Sequence, residues 1–574
     1  MIHSPAPFIT LSAWRSRFLF ILLLLGFVGL AVRAAYLQGM HNDFLRQKGE
    51  SRYSRIVEMS ANRGMITDRH GEVLAISTPV ASIYVDPTKV QASNEQLNEL
   101  AMLLKMDVTT IQQRIAEQQR RFVYLQRRVL PGIAERIEKL KIPGVFLQSE
   151  SQRFYPAGEM TAHVLGFTNI DDKGQEGVEL AWQDTLTGEL GSRRVIKDRK
   201  GQIIEDIENI RAPRQGQDLV LSLDSGIQYL AHRELTRAVT THRAKAGSIV
   251  ILDAQTGEIL AMVNLPVYNP NRRTSIDQEK IRNRALIDTF EPGSTLKPFA
   301  VAVAMEVGEV NADTIVQTAP GTLRIGRRTI RDINNKGNLT VAQVIQQSSN
   351  IGTAKIALAL PPQTLWEMLN RSGFGMSTGL GFPGEASGRL RAYNTWRPIE
   401  QATMSYGHGI SVNLLQLARA YTLFTSGGEL QPVSLLKRDS AVMGQRVISA
   451  ETALAMSLML ELAVQPGGTA TLAQVNGYRV AGKTGTAHKL IDGNYARNRY
   501  ISSFVGYAPA SNPRLIIAVM IDEPSAGQYY GGLVAAPVFS QVMAGALRML
   551  NVPHDASPSN VVFFPAVSGF EEGG

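Results

Sequence analysis

The sequence predicts an α+β fold carried on a single membrane-spanning helix, and three observations predict it. An uncharged apolar run, Phe18–Val32 (FLFILLLLGFVGLAV), lies near the N-terminus. Strand-like runs gather at both ends of the segment from 216 to 560, with helical runs between them. At 574 residues the chain also exceeds what one core serves, so more than one domain is expected.

The anchor comes first. Ala34–Leu37 extend the apolar run past Arg33, and residues 18–37 make about 30 Å of helix, enough for a bilayer core. Arg15 and Arg17 precede it, so residues 1–17 are expected in the cytoplasm and everything after 40 outside. Val32-Arg33-Ala34 loosely resembles a cleavage site, but the arginine and the length of the run favour an uncleaved anchor.

Composition narrows the function classes. The net charge is +9, yet the Lys and Arg are spread along the chain and no nucleic-acid-binding pattern occurs, so no nucleic-acid partner is expected. The chain has no cysteine, which excludes disulfides, thiolate metal sites and a thiol nucleophile. Its nine His form no tight pair, so neither metal nor cofactor is expected.

Residues 40–215 alternate short strands with solvated helical runs such as Ile111–Phe122 and Ile133–Leu140. Arg211–Gln217 (RAPRQGQ) breaks the pattern and marks a boundary. Beyond it, Ser248–Asp253 and Glu258–Val263 read as a hairpin. Tyr478–Ala487, Tyr500–Ala508 and Arg514–Ile521 read as three further strands, with a turn signal at Asp492-Gly493. Thr295–Val307 and Leu339–Gln347 are expected helices, as is Pro537–Leu550. This order implies one sheet built from both ends of the segment, around a helical block. A tail covers 561–574.

Ser294-Thr295-Leu296-Lys297 is the first candidate for chemistry. Pro292-Gly293 places Ser294 near a helix N-cap, where cap preference alone accounts for a serine. The run behind it, Phe299–Met305 (FAVAVAM), has no polar face, so the helix belongs inside the domain. A lysine at the start of a buried helix is costly unless it serves a purpose, and desolvation drives it toward a useful base. Pro298 fits only the first turn, and it biases Lys297 away from helical angles. Ser434–Lys437 repeats the spacing without a buried helix behind it. Ser348-Ser349-Asn350 is a second candidate, placed after a helix that Thr340 and Gln343 can open as a capping box. Its S-x-N pattern is weak alone, since Ser60–Asn62 and Ser411–Asn413 match too, and a helix-ending turn explains it as well. Lys483-Thr484-Gly485-Thr486 is the third: a Lys and two Thr can hold a carboxylate, and Gly485 permits close approach. The competing reading is a charge guarding an edge strand.

The order of the three, with gaps of 54 and 135 residues, resembles the penicillin-binding protein and serine β-lactamase superfamily, where S-x-x-K, S-x-N and K-T-G line one cleft. Arg63–Gly71 (RGMITDRHG) is similar to a signature of class B penicillin-binding proteins. Arg153–Pro156 (RFYP), His163–Gly166 (HVLG) and Gly174–Glu179 (GQEGVE) resemble segments of that class's N-terminal pedestal. Phe290–Phe299 (FEPGSTLKPF) is closer to the division-specific type than to the elongation-specific type.

That resemblance implies a pedestal, or dimerisation-type, domain over 40–215 and a transpeptidase domain over 216–560. It implies Ser294 as the acyl-forming nucleophile, Lys297 as its base, Ser348 as proton relay and Asn350 as a hydrogen-bond partner of the substrate backbone. Lys483 would sustain the electrostatics while Thr484, Gly485 and Thr486 line the carboxylate site; Tyr406-Gly407-His408-Gly409 resembles a cleft loop, and Tyr500, Tyr529 and Tyr530 flank the cleft. The implied substrates are peptidoglycan stem peptides ending in D-Ala-D-Ala, with β-lactams trapped at Ser294. The implied setting is the inner membrane at the division septum, beside a SEDS-family glycan polymerase and other divisome membrane proteins. Rival readings are an elongation-type transpeptidase, a hydrolase of the same superfamily, and a non-catalytic envelope scaffold or β-lactam sensor.

Overall fold

The computed structural model describes residues 13–40, 54–59, 61–197, 203–272, 277–440, 442–491 and 493–557. Ser60, Asp492 and the tail 561–574 lie outside them, as do residues 1–12 of the expected cytoplasmic segment.

The chain divides into two compact units, the first comprising residues 1–61 and 188–215. It holds the apolar helix Ala13–Ala35 and a three-stranded antiparallel sheet of Ser54–Met59, Gly191–Lys197 and Ile203–Arg211. The segment Ala13–Gln38 is long and apolar enough to cross a bilayer, which fits a single-pass anchor.

The second unit comprises 62–187 and 216–574. In its N-terminal part the long strand Val73–Val85 pairs with Val123–Val129 and Val145–Phe154. The expected helix Ile111–Phe122 is instead Val108–Ile115, because only Ile111 is buried there and the Gln-Gln-Arg-Arg run after it has no apolar period to continue the turn. Three sequence segments, Arg63–Gly71, Arg153–Pro156 and Gly174–Glu179, converge on one buried ion triad. Glu179 receives Arg63 Nε at 2.5 Å and Arg153 Nε at 2.6 Å, all three side chains being almost wholly buried. Removing Glu179 would strand two guanidinium groups out of water.

The rest of the unit is built on a five-stranded antiparallel sheet: β1 (Ala246–Asp253), β2 (Ile259–Leu265), β3 (Ala481–Ile491), β4 (Asn494–Ala508) and β5 (Leu515–Asp522), ordered β2-β1-β5-β4-β3. Both ends of the segment supply it, and β1 and β5 are buried along their whole length. The alternation of side chains sets two cores. Ile249 and Ile251 face one with Ile517 and Val519, under the helices Ser225–Thr241 and Ala536–Met549. Val250 and Leu252 face the other with Ile516 and Ala518, under the helical block. That block centres on α1 (Lys297–Glu306), whose residues 297–304 are all buried, and Phe299 meets Phe374 edge-on at 5.2 Å. Two short helices come next, α2 (Val341–Gln346) and α3 (Asn350–Ala359). The capping box expected at Thr340 and Gln343 is present.

Candidate active site

Ser294 does not cap α1. It lies in a 3-10 turn, Gly293–Leu296, whose end runs straight into the helix; Leu296 is the helix N-cap and no side chain caps it. Cap preference therefore does not explain this serine. Half-buried, it opens onto a cavity of 690 Å³. Lys297 takes helical angles (φ −53°, ψ −39°) in spite of Pro298 behind it, because the buried apolar helix outweighs the local preference. Its backbone N–H donates to the Ser294 carbonyl, so both side chains leave one turn.

The Lys297 side chain is wholly buried, and Nζ donates to the Ser348 carbonyl at 2.6 Å and to Ser348 Oγ at 3.1 Å. Burial drives its pKa well below the ordinary lysine range, and the ammonium of Lys483 pushes the same way. Lys483, equally buried, is brought down to about 7 by desolvation and by Lys336, and its Nζ has no hydrogen-bond partner among the described residues. Two lysines sealed from water near one another cannot both stay charged.

Ser348 stands between α2 and α3 with φ +57°, a left-handed conformation that costs a serine about 1–2 kcal/mol. The helix-ending turn is thus real, but it is also the point that receives Lys297. Neighbouring Ser349 carries the local structural duty, its Oγ accepting from Gly352 N–H at 2.9 Å as the N-cap of α3. Asn350 opens α3 and its Nδ2 donates to the Arg331 carbonyl at 3.1 Å.

Lys483–Thr486 sits in the first half of β3, and β3 is one of the sheet's two edge strands. The edge-guard reading fails because Lys483 points into the protein, wholly buried. Thr484 Oγ1 and Thr469 Oγ1 lie 3.1 Å apart, and Thr486 Oγ1 accepts from Gly531 N–H at 2.9 Å. Gly485 has the role its type suggests: a Cβ there would stand 2.7 Å from the Pro292 carbonyl oxygen and 2.3 Å from Ser503 Oγ. Only a glycine lets the Ser294 turn lie against the strand. Gly407 does the same from above, since its φ is +86° and a Cβ would meet the Gly293 carbonyl oxygen at 2.1 Å.

The structure therefore brings Ser294, Ser348, Asn350, Tyr406, Thr484 and Thr486 to the wall of one cavity. Lys297, Lys483, Gly407 and Gly485 form the packing behind that wall. Tyr406 is buried, which pushes its phenol up, and it meets His408 edge-on at 5.5 Å. Tyr500, Tyr529 and Tyr530 also line the cavity, the first two stacked at 4.0 Å. The sequence motifs do not include Asp332, Lys336 and Thr469, which line it too; Glu291, inside the FEPGSTLKPF stretch but given no role there, binds His408 Nδ1 at 2.9 Å and accepts from Gly409 N–H at 2.8 Å. Arg331-Asp332 and Lys336-Gly337 carry only a turn signature, so nothing local marks them.

The pair at 434 goes elsewhere. Ser434 Oγ donates to the Leu436 carbonyl at 2.7 Å, and Lys437 Nζ donates to the Arg69 carbonyl at 3.0 Å in solvent.

Two family models match this chain: a penicillin-binding protein transpeptidase domain over residues 247–544 and a penicillin-binding protein dimerisation domain over 58–221. The chain is 43% identical to a probable peptidoglycan D,D-transpeptidase, PenA, of Neisseria meningitidis, over 92% of this chain and 91% of that one. It is 43% identical to the peptidoglycan D,D-transpeptidase FtsI of Escherichia coli, over 95% of this chain and 93% of that one. Among solved structures, the transpeptidase domain of penicillin-binding protein 3 from Burkholderia pseudomallei is similar at 46% identity. Its TM-score is 0.55, covering 58% of this chain and 98% of that one.

Proposed function

From the premise that the chain belongs to the penicillin-binding protein transpeptidase family, we propose that Ser294 is the nucleophile of its peptidoglycan D,D-transpeptidase reaction. The observation that carries this is the buried Lys297 on the same turn, held by Ser348. As a neutral amine it has two N–H groups, which go to the Ser348 carbonyl and hydroxyl. Its lone pair is left to accept the Ser294 proton.

The attack forms a bond from Ser294 Oγ to the carbonyl carbon of the penultimate D-alanine. The bond to the terminal D-alanine nitrogen breaks, and that amine leaves carrying a proton returned through Ser348. An amine from a second stem peptide then attacks the ester, restoring the serine and leaving a cross-link. Backbone N–H groups of Ser294 and Thr486 would hold the developing oxyanion, Asn350 the substrate backbone, and Thr484 and Thr486 the terminal carboxylate beside Lys483. Tyr406 and Gly407 would shape the cleft mouth. β-Lactams enter the same path and stop at the ester, because their leaving amine stays tethered.

The anchor helix supports an envelope location with the catalytic unit outside the cytoplasm, at the inner membrane. The similarity to FtsI supports a septal role, beside a SEDS-family glycan polymerase and other divisome membrane proteins. Depletion in cells tests the septal part: filaments are expected, and round cells would refute it. A fluorescent penicillin tests the site: wild-type chain is labelled covalently, and labelling that survives Ser294→Ala overturns the assignment.

A further inference from the structure

Ser348 has a demanding task under that reading, and it performs it from a left-handed backbone that serine does not choose by itself. Its own chain offers little restraint: Ser348 and Ser349 N–H groups bond back only to the carbonyls of Ile345 and Val344 in α2. Beyond the Ser349 cap on α3 and the bonds from Lys297, further restraint comes from one turn, residues 331–336, at the end of the strand Arg328–Arg331. Asp332 Oδ1 accepts from Asn350 N–H at 2.6 Å and from Ile351 N–H at 3.2 Å, and its Oδ2 accepts from Ser349 Oγ. The Arg331 carbonyl takes Asn350 Nδ2. On the other side of Ser348, Lys336 Nζ donates to the carbonyl of Gln347. Both Asp332 and Lys336 are half-buried and both line the cavity.

We propose that Asp332 and Lys336 are positioning residues for the reaction, gripping Gln347 on one side and Ser349–Ile351 on the other so that Ser348 stays on Lys297. The proposal rests on the reading of Ser348 and Lys297 as the proton-handling pair. The two side chains also set opposite charges beside the buried amines: Lys336 disfavours a proton on Lys297 and Lys483, while Asp332 favours one on Lys297. The other titratable groups at this place are Lys483 from β3 and, on the cavity wall, Tyr406, His408, His488, Tyr500, Tyr529 and Tyr530.

The test is the second-order rate of acylation of the full chain, in detergent, by a fluorescent penicillin as a function of pH. Asp332→Asn and Lys336→Gln are expected to slow acylation by roughly ten- to a hundredfold, as a slight misplacement of a reacting group does. Lys336→Arg, which keeps donor and charge, is expected to recover most of the rate. The limb along which the rate rises with pH should move up in Lys336→Gln and down in Asp332→Asn. Wild-type rates with an unmoved limb in both overturn the proposal. So does slow acylation with unmoved limbs and a lowered melting temperature, the mark of a purely structural turn. If Asp332→Asn fails to fold, the Lys336 pair decides alone, since that side chain is half-exposed. Ser348→Ala separates the two layers of argument. If it acylates at the wild-type rate, the underlying reading is wrong. If it is slow while the Asp332 and Lys336 variants are normal, only the clamp is wrong.

Discussion

Two serine–lysine pairs with identical spacing occupy this chain, and they could hardly be treated more differently. At 294–297 the serine caps nothing and faces a cavity, while the lysine is sealed at the head of a helix without a polar face. At 434–437 the serine hydroxyl is consumed by its own turn, and the lysine stays in water on a backbone carbonyl. Spacing brings two groups onto one side of the chain; it does not make one of them a base. Desolvation does that, by raising the cost of the ammonium until a neutral amine is the cheaper state.

The largest effects test that contrast directly. Ser294→Ala is expected to abolish covalent labelling by penicillin, and Ser434→Ala to leave it at the wild-type level; equal labelling of the two variants would erase the distinction. Next come the lysines. Lys297→Met keeps the volume and removes the proton acceptor, so acylation should fall by about 10²–10⁴-fold, the usual worth of general base catalysis. Lys437→Met should change neither the rate nor, beyond about 0.5 kcal/mol, the stability, as befits an exposed side chain. A comparable loss in both would mean that charge at large, rather than the buried amine, drives the reaction.

Much of this architecture is legible in the sequence. The sheet assembled from both ends of its segment is written in apolar runs at strand spacing, and β1 and β5 fall where those runs lie. The FAVAVAM helix announces its burial because it lacks a polar face. Two things escape for physical reasons. The status of Ser294 as a cap depends on a 3-10 turn intruding between Pro292 and Lys297, which composition does not encode. Asp332 and Lys336 act across the fold on residues 11 to 19 positions away, through contacts that no local period reveals.

Below the lysines in expected effect stands Gly407→Ala, a substitution that attacks the Ser294 turn without touching its chemistry. The added Cβ would meet the Gly293 carbonyl oxygen at 2.1 Å in a backbone at φ +86°, whereas at Gly308 (φ +77°) nothing lies within 4 Å. Gly308→Ala should therefore show only the conformational cost, on the order of 1 kcal/mol. Gly407→Ala should add a clash, lowering the melting temperature further and slowing acylation as Gly293 is pushed from β3. Equal losses in both would show that strain at positive φ, not contact with the nucleophile turn, is what the glycine relieves.

The smallest effect is the most specific, because it reads the charge state of a buried lysine without any chemistry. Lys483 is held at about 7 in the folded chain, against an ordinary lysine value of about 10.4 when unfolded. Between those values the unfolded chain binds a proton that the folded chain does not, so stability rises with pH, by at most about 1.4 kcal/mol per pH unit. Below about 7 both states are protonated and the slope vanishes. Lys297, also depressed by burial, contributes with the same sign. Lys483→Met abolishes the first contribution and, by removing the neighbouring cation, narrows the second. Its melting temperature should accordingly stand highest relative to wild type at pH 7, and the gap should close toward pH 10. Lys437→Met, made in solvent, should show no such convergence. A constant gap for Lys483→Met across that range would mean that the sealed lysine titrates as it does in water. The contrast between the two serine–lysine pairs would then have to rest on geometry alone.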